Sequence, residues 1–180
     1  MKKVLLSLLL LTSLSAIKTN AQMAAAQQVK YDIVKNADID MEADSLWQIF
    51  NNNELMKKAS NGYISAIEVV DTNMPVSRKV VLSNGNSRIE NITQNEPHNK
   101  FIVIQFSDSA LPKGIKSAMM SVVLKAKDSK TNITWRALVK GDGEAKKALI
   151  AQLTSEFDSY VAGLDKMTKK SIPAMRMNLN

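Results

Sequence analysis

The sequence predicts an α+β fold: a curved antiparallel sheet of about seven strands around a long C-terminal helix, with two short helices after the first strand. Three observations carry this. From residue 64 to residue 140 apolar residues recur with period two and are cut by closely spaced turn signals, as in an antiparallel sheet. From Glu144 to Lys170 the apolar period becomes three or four, which marks a helix with one face to bury. Ahead of the sheet, two short stretches of helical spacing follow one strand with almost no linker.

In chain order, residues 1–21 read as a secretory signal peptide. Lys2 and Lys3 precede an apolar run from Val4 to Ile17, and Thr19-Asn20-Ala21 sets small residues at −3 and −1 before Gln22. The run covers 14 residues and is interrupted by Ser and Thr, whereas a spanning helix needs about 20 mostly apolar ones. Cleavage after Ala21 removes Lys2, Lys3 and Lys18 and no acid, so 159 residues remain and the formal charge falls from +7 to +4. The expected product is exported, periplasmic or secreted. The chain has no Cys, which excludes a lipid anchor, a disulfide framework, thiol catalysis and Cys-ligated zinc. A single His leaves no multi-His metal site and argues against a Ser-His-Asp triad. No metal and no cofactor is expected. The scattered lysines form no basic stripe with interleaved aromatics, which argues against nucleic acid and leaves peripheral membrane contact open.

Residues 22–30 are an Ala/Gln-rich flexible leader, residues 31–170 one domain, and residues 171–180 a polar flexible tail containing Pro173. Tyr31 to Met41 alternates and forms the first strand. Ala43 to Asn52 carries Leu46, Trp47, Ile49 and Phe50 on helical spacing, with Trp47 expected in the core, and the Asn51-Asn52-Asn53 run ends it. Glu54 to Ala59 is the second helix, stopped by Asn61-Gly62. Strands follow at Ile64–Asp71, Ser77–Ser83, Ser87–Gln94 and Lys100–Ser107, with Asn84-Gly85 as a hairpin turn. After a break at Leu111–Gly114, Ile115–Lys127 and Thr131–Lys140 form a last hairpin around Asp128-Ser129-Lys130. In the closing helix Leu149, Leu153, Phe157, Tyr160, Leu164 and Met167 make the buried stripe, while Lys146, Lys147, Glu156, Asp158 and Lys166 fall largely off it.

A curved sheet around one helix leaves space on its concave face, the usual place for a small molecule. Alternation puts Ile133, Trp135, Ala137 and Val139 on the inner face of the last strand. Ala118, Met120, Val122 and Leu124 take the inner face of the strand before it, and Ile102, Ile104 and Phe106 that of "KFIVIQFS". The expected ligand-binding set is Arg78, Val80, Glu90, Ile102, Ile104, Phe106, Met120, Val122, Trp135, Ala137, Phe157 and Tyr160; no residue is assigned to catalysis. A three-residue turn at Asn84–Asn86 sets Val80 opposite Glu90 and Arg78 opposite Ile92, so Arg78 and Glu90 share a face as diagonal neighbours. A two-residue turn would put them on opposite faces. His98 lies in the turn "EPHNK", a poor place for a catalytic His. Nine Met against ten Leu in the mature chain suit an adaptable apolar surface.

Four segments, "ADSLWQIFNNNELMKKAS", "SRKVVLSNGNSRIENITQNEP", "TNITWRALVKG" and "SYVAGLDKM", occur in an order and spacing that resemble the START/Bet v 1-like (SRPBCC) superfamily, the helix-grip proteins. The nearest type is the polyketide cyclase/dehydrase and lipid-transport group. The matching features are Arg78, Asn84-Gly85 and Glu90 in the hairpin, Trp135 in the last strand, and Tyr160, Gly163 and Leu164 in the closing helix. The resemblance covers residues 34–166; the Asn run departs from it where that group often carries a Trp-Pro segment. It implies a helix-grip fold and a hydrophobic or amphipathic, lipid-like ligand between sheet and helix. It also implies an alternative, a cyclase/dehydrase-like enzyme acting on a polyketide-like substrate, with Arg78 and Glu90 the first candidates. Export and the formal charge of +4 leave a further alternative, a membrane- or protein-interaction module without a ligand. A cavity in the usual ~300–1,000 Å³ range supports binding, and a smaller one favours an interaction or structural role.

Overall fold

The computed structural model describes residues 29–171. The expected signal peptide, most of the leader and the tail from residue 172 onward lie outside them. Among the described residues no helix is long and apolar enough to cross a membrane.

The chain runs β1 (Ile33–Ile39), α1 (Ala43–Phe50), α2 (Asn53–Ala59), β2 (Ile64–Asp71), β3 (Val76–Leu82), β4 (Ser87–Glu96), β5 (Phe101–Phe106), β6 (Ile115–Lys127), β7 (Lys130–Gly141) and α3 (Gly143–Ser171). The seven strands form one sheet in the order β1-β7-β6-β5-β4-β3-β2, with every neighbouring pair antiparallel. The break before β6 also contains a single 3-10 turn, Asp108–Ala110, which the sequence pattern does not signal. Register breaks in β2, β4 and β6 add local twist and bend the sheet.

The Asn run does two jobs. The Asn51 N–H donates to the Trp47 carbonyl at the end of α1. The Asn52 side chain then accepts from the Leu55 N–H at 3.0 Å and caps α2. A stop and a start in adjacent residues explain why the two helices need no linker. Trp47 is half-buried rather than in the core, and the Lys100 ammonium sits 5.8 Å from its ring centre.

The concave face holds the core. Ile133, Trp135, Ala137 and Val139 of β7 are buried, as are Ala118, Met120, Val122 and Leu124 of β6. α3 lies across them and buries Leu149, Leu153, Phe157, Tyr160 and Leu164. Its crossing of α2 is held at backbone contact. A Cβ on Gly163 would stand 1.9 Å from the Ala59 carbonyl oxygen, so glycine is required there. Beside it the Ser159 hydroxyl donates to the Ser60 carbonyl (2.7 Å) and the Lys166 ammonium to the Asn61 side-chain oxygen (2.7 Å). These polar contacts tie α3 to the end of α2.

Two turns differ from expectation. The β6–β7 turn holds two residues, Asp128 and Ser129, because Lys127 pairs with Lys130. The β3–β4 turn does have three residues, but they are Ser83–Gly85: Leu82 N–H donates to the Asn86 carbonyl, and Gly85 takes φ +85°. That left-handed position suits glycine in a three-residue hairpin loop.

Candidate functional site

The hairpin register sets the chemistry. With the turn at Ser83–Gly85, Arg78 faces Glu90 directly and Val80 faces Arg88. The diagonal arrangement drawn from a turn at Asn84–Asn86 is therefore corrected by one pair, while the shared face remains. Alternation then places Arg78, Val80, Arg88 and Glu90 all inward.

These side chains build a closed charge network with one more member from the helix. Arg78 Nε donates to Glu90 Oε2 at 2.8 Å, and its Nη2 lies 2.8 Å from the same oxygen. Arg88 Nε donates to Glu90 Oε1 at 2.7 Å. The Arg88 fork then closes on Glu156 of α3, with Nη1 to Oε2 at 2.7 Å and Nη2 to Oε1 at 2.6 Å. The remaining Arg78 terminal nitrogen, Nη1, donates to the Met56 sulfur at 3.2 Å. All four charged residues are at most 6% exposed. Two guanidiniums balance two carboxylates, and every carboxylate oxygen is bonded, as burial demands. Burial acts to raise the Glu90 carboxyl pKa, but Arg88 and then Arg78 outweigh it and hold the group below the ordinary carboxylate range. Burial likewise acts to lower the Arg88 pKa, and Glu156 and Glu90 drive it up instead.

Next to the network lies an aromatic cluster. Trp135 stacks on Phe157 with ring centres 5.8 Å apart, and Phe50 meets Trp135 and Tyr160 at 6.3 and 6.2 Å. The Tyr160 hydroxyl is buried and has no hydrogen-bond partner among the described residues. Burial, with Glu156 next, pushes its pKa up.

Arg78, Glu90 and Glu156 of the network, with the aromatic cluster, wall a small internal cavity, while Arg88 faces the cleft beside it. Of the residues expected there, Arg78, Val80, Glu90, Ile102 and Ile104 line it, as do Met120, Val122, Trp135, Phe157 and Tyr160. Phe106 does not; its ring lies under the Arg88 guanidinium at 4.9 Å and faces a separate cleft of about 290 Å³ with Leu111 and Leu149. Ala137 is fully buried in β7 and does not line the cavity either. His98 is exposed in the β4–β5 turn. Phe50, Met56, Ile64, Ile67, Ile92 and Glu156 complete the lining. The cavity volume is about 20 Å³, enough for one small polar group and far below the usual ~300–1,000 Å³ of a ligand pocket. A surface groove of about 440 Å³ lies just outside, between Asn51–Glu54 and Val69, Thr72, Val76 and Asn95. It shares Phe50, Arg78 and Ile92 with the cavity, so those three side chains form the partition.

Arg88 and Glu156 are the functional candidates that sequence reasoning misses. Arg88 stands two residues from Glu90, and that parity alone assigns it to the same face. Glu156 lies seven residues after Leu149 and four before Tyr160, on the buried stripe, although its charge suggests a surface position. It is 1% exposed.

An antiparallel seven-stranded sheet gripping one long C-terminal helix, with a helix pair after the first strand, is the helix-grip fold of the Bet v 1-like proteins. Solved structures share that fold. The chain is similar to ginseng major latex-like protein 151 from Panax ginseng, at 14% identity and a TM-score of 0.62 over 75% of this chain and 95% of that one. It is similar to the protein XoxI from Bacillus cereus at 12% identity and a TM-score of 0.65, over 75% of this chain and 93% of the other. A third likeness, to the di-domain ARO/CYC BexL of a biosynthetic pathway, has 7% identity and a TM-score of 0.65 over 76% of this chain and 46% of that one. At such identities these likenesses establish the fold. No protein-family model matches the sequence, and no curated protein matches it significantly.

Proposed function

We propose that this is an exported binding protein that holds an apolar or amphipathic, lipid-like small molecule between the sheet and α3. The observation that carries the proposal is the partition of Phe50, Arg78 and Ile92, which separates an apolar-walled cavity with a buried charged network from a groove open to solvent. The ligand occupies the cavity after the partition moves. Phe50 and Met56 lie on two short helices joined at one Asn run, and Met56 and Met120 are flexible enough to repack. Export rests on the signal-peptide pattern of residues 1–21, and the binding unit is the domain of residues 31–170.

A second proposal is favoured by the small cavity volume: a helix-grip domain that acts by contact, with no ligand inside. Val69, Val70 and Met74, 52%, 60% and 65% exposed, would supply its apolar surface at the β2 edge. One experiment separates the two. The mature protein is titrated with a solvatochromic apolar probe, and its complement of bound molecules is read by native mass spectrometry. Saturable uptake of one probe per chain supports binding. A folded protein that takes up no probe and carries no co-purifying molecule sinks it in favour of contact.

A further inference from the structure

The cavity's polar wall says which ligand chemistry fits. We infer that the bound molecule carries one neutral acceptor oxygen, a ketone, ester or hydroxyl on an apolar body, which the Tyr160 hydroxyl and the Arg78 Nη1 group hold inside the cavity. This rests on the cavity-binding proposal and narrows it.

The argument is a count of donors and acceptors. Both oxygens of Glu90 and both of Glu156 already accept guanidinium N–H groups. What is left over is donor capacity. The Tyr160 hydroxyl is buried in the cavity wall with no partner among the described residues. It stays protonated, since burial and Glu156 both raise its pKa. Arg78 Nη1 spends its bond on a thioether, a weak acceptor, at 3.2 Å. A ligand oxygen would satisfy the first donor and displace Met56 from the second. Arg78 also borders the outer groove, so an oxygen entering there meets it first.

The charge count decides between a neutral oxygen and an anion. Two guanidiniums already balance two carboxylates in a buried site. A ligand carboxylate would bring an uncompensated negative charge next to Glu90 and Glu156, which burial penalises heavily. A pure hydrocarbon leaves the Tyr160 donor unmet.

The test is competition against the apolar probe with 2-tridecanone, tridecanol, tridecane and tridecanoic acid near neutral pH, on the mature protein and on its Tyr160→Phe variant. The ketone and alcohol should compete at least tenfold better than the acid or the alkane. Tyr160→Phe should weaken the ketone roughly five- to tenfold and leave the alkane unchanged. An acid that binds as well as the ketone overturns the inference, as does a Tyr160→Phe loss that is equal for every ligand, which would mean packing. The wild-type ranking gives the answer even if the variant folds poorly. If the probe and the alkane bind but the ketone gains nothing, the inference alone falls; if nothing binds, the cavity-binding proposal falls with it.

Discussion

Glu90→Gln is the most informative single substitution in the network. Glu90 is 1% exposed and joins the two arginines, receiving Arg88 on one oxygen and Arg78 on the other. The amide keeps one acceptor, turns an NH₂ toward a guanidinium, and leaves two buried cations with only Glu156 to balance them. Removing one partner of a buried ion pair costs about 3–5 kcal/mol. In a domain of this size each kcal/mol lowers Tm by roughly 2–4 °C, so the expected fall is roughly 6–20 °C. Thermal and urea unfolding followed by circular dichroism would read it, with an unchanged urea slope showing that the same surface is exposed on unfolding. Adding Arg78→Met removes the excess cation and gives its volume to an apolar side chain. The double variant should recover to within about 2 kcal/mol of wild type, because replacing a buried pair by apolar groups is close to neutral. A Glu90→Gln cost below about 1 kcal/mol, or two costs that simply add, would refute the claim that the network is a sealed, charge-balanced unit.

Three further outcomes follow from the same structure. Glu90 is held below its ordinary pKa by Arg88 and Arg78 against the pull of burial, so its stabilisation is complete above the unfolded value of about 4.3 and drains away as pH falls through that value toward the folded one. Urea unfolding between about pH 6 and pH 3 should show a steeper loss in wild type than in Glu90→Gln, and equal slopes would contradict it. Gly163→Ala should cost at least the ~1–3 kcal/mol of an overpacked core, since its Cβ would lie 1.9 Å from the Ala59 carbonyl oxygen, and an unchanged Tm would show that α3 does not touch α2 as described. Met120→Ala should cost about 2–5 kcal/mol and, by opening the cavity wall, raise probe affinity; lower affinity in a folded variant would place the ligand elsewhere.

The sequence carried most of the fold because period and punctuation were strong where the strands are long. The limits Ile64–Asp71 and Ile115–Lys127 match those read from alternation and turn residues alone. The inner faces of β5, β6 and β7 were legible for the same reason: one face is buried and parity decides it. Register at the β3–β4 turn was not legible to the residue. Ser83, Asn84, Gly85 and Asn86 all tolerate turn geometry, and only the left-handed Gly85 fixes which three close the loop. Glu156 was hidden by its charge, since a lone glutamate on a helix is a surface residue unless a cation waits across the core. The cation is Arg88, from a strand nearly seventy residues earlier, and no local pattern announces that pairing. Cavity size was equally out of reach. Alternation tells which side chains face inward, but the depth at which α3 sits depends on Gly163 and on how Phe50, Trp135, Phe157 and Tyr160 interlock.

Trp135 offers the most direct test of the central claim, because it lines the cavity and is 1% exposed. The chain has two tryptophans, and a Trp47→Phe variant leaves Trp135 as the only reporter. Titration of that variant with 2-tridecanone should change the Trp135 emission saturably, with one ligand per chain by native mass spectrometry. Emission that stays unchanged at high ketone concentration, in a protein that remains folded, would contradict a ligand between the sheet and α3.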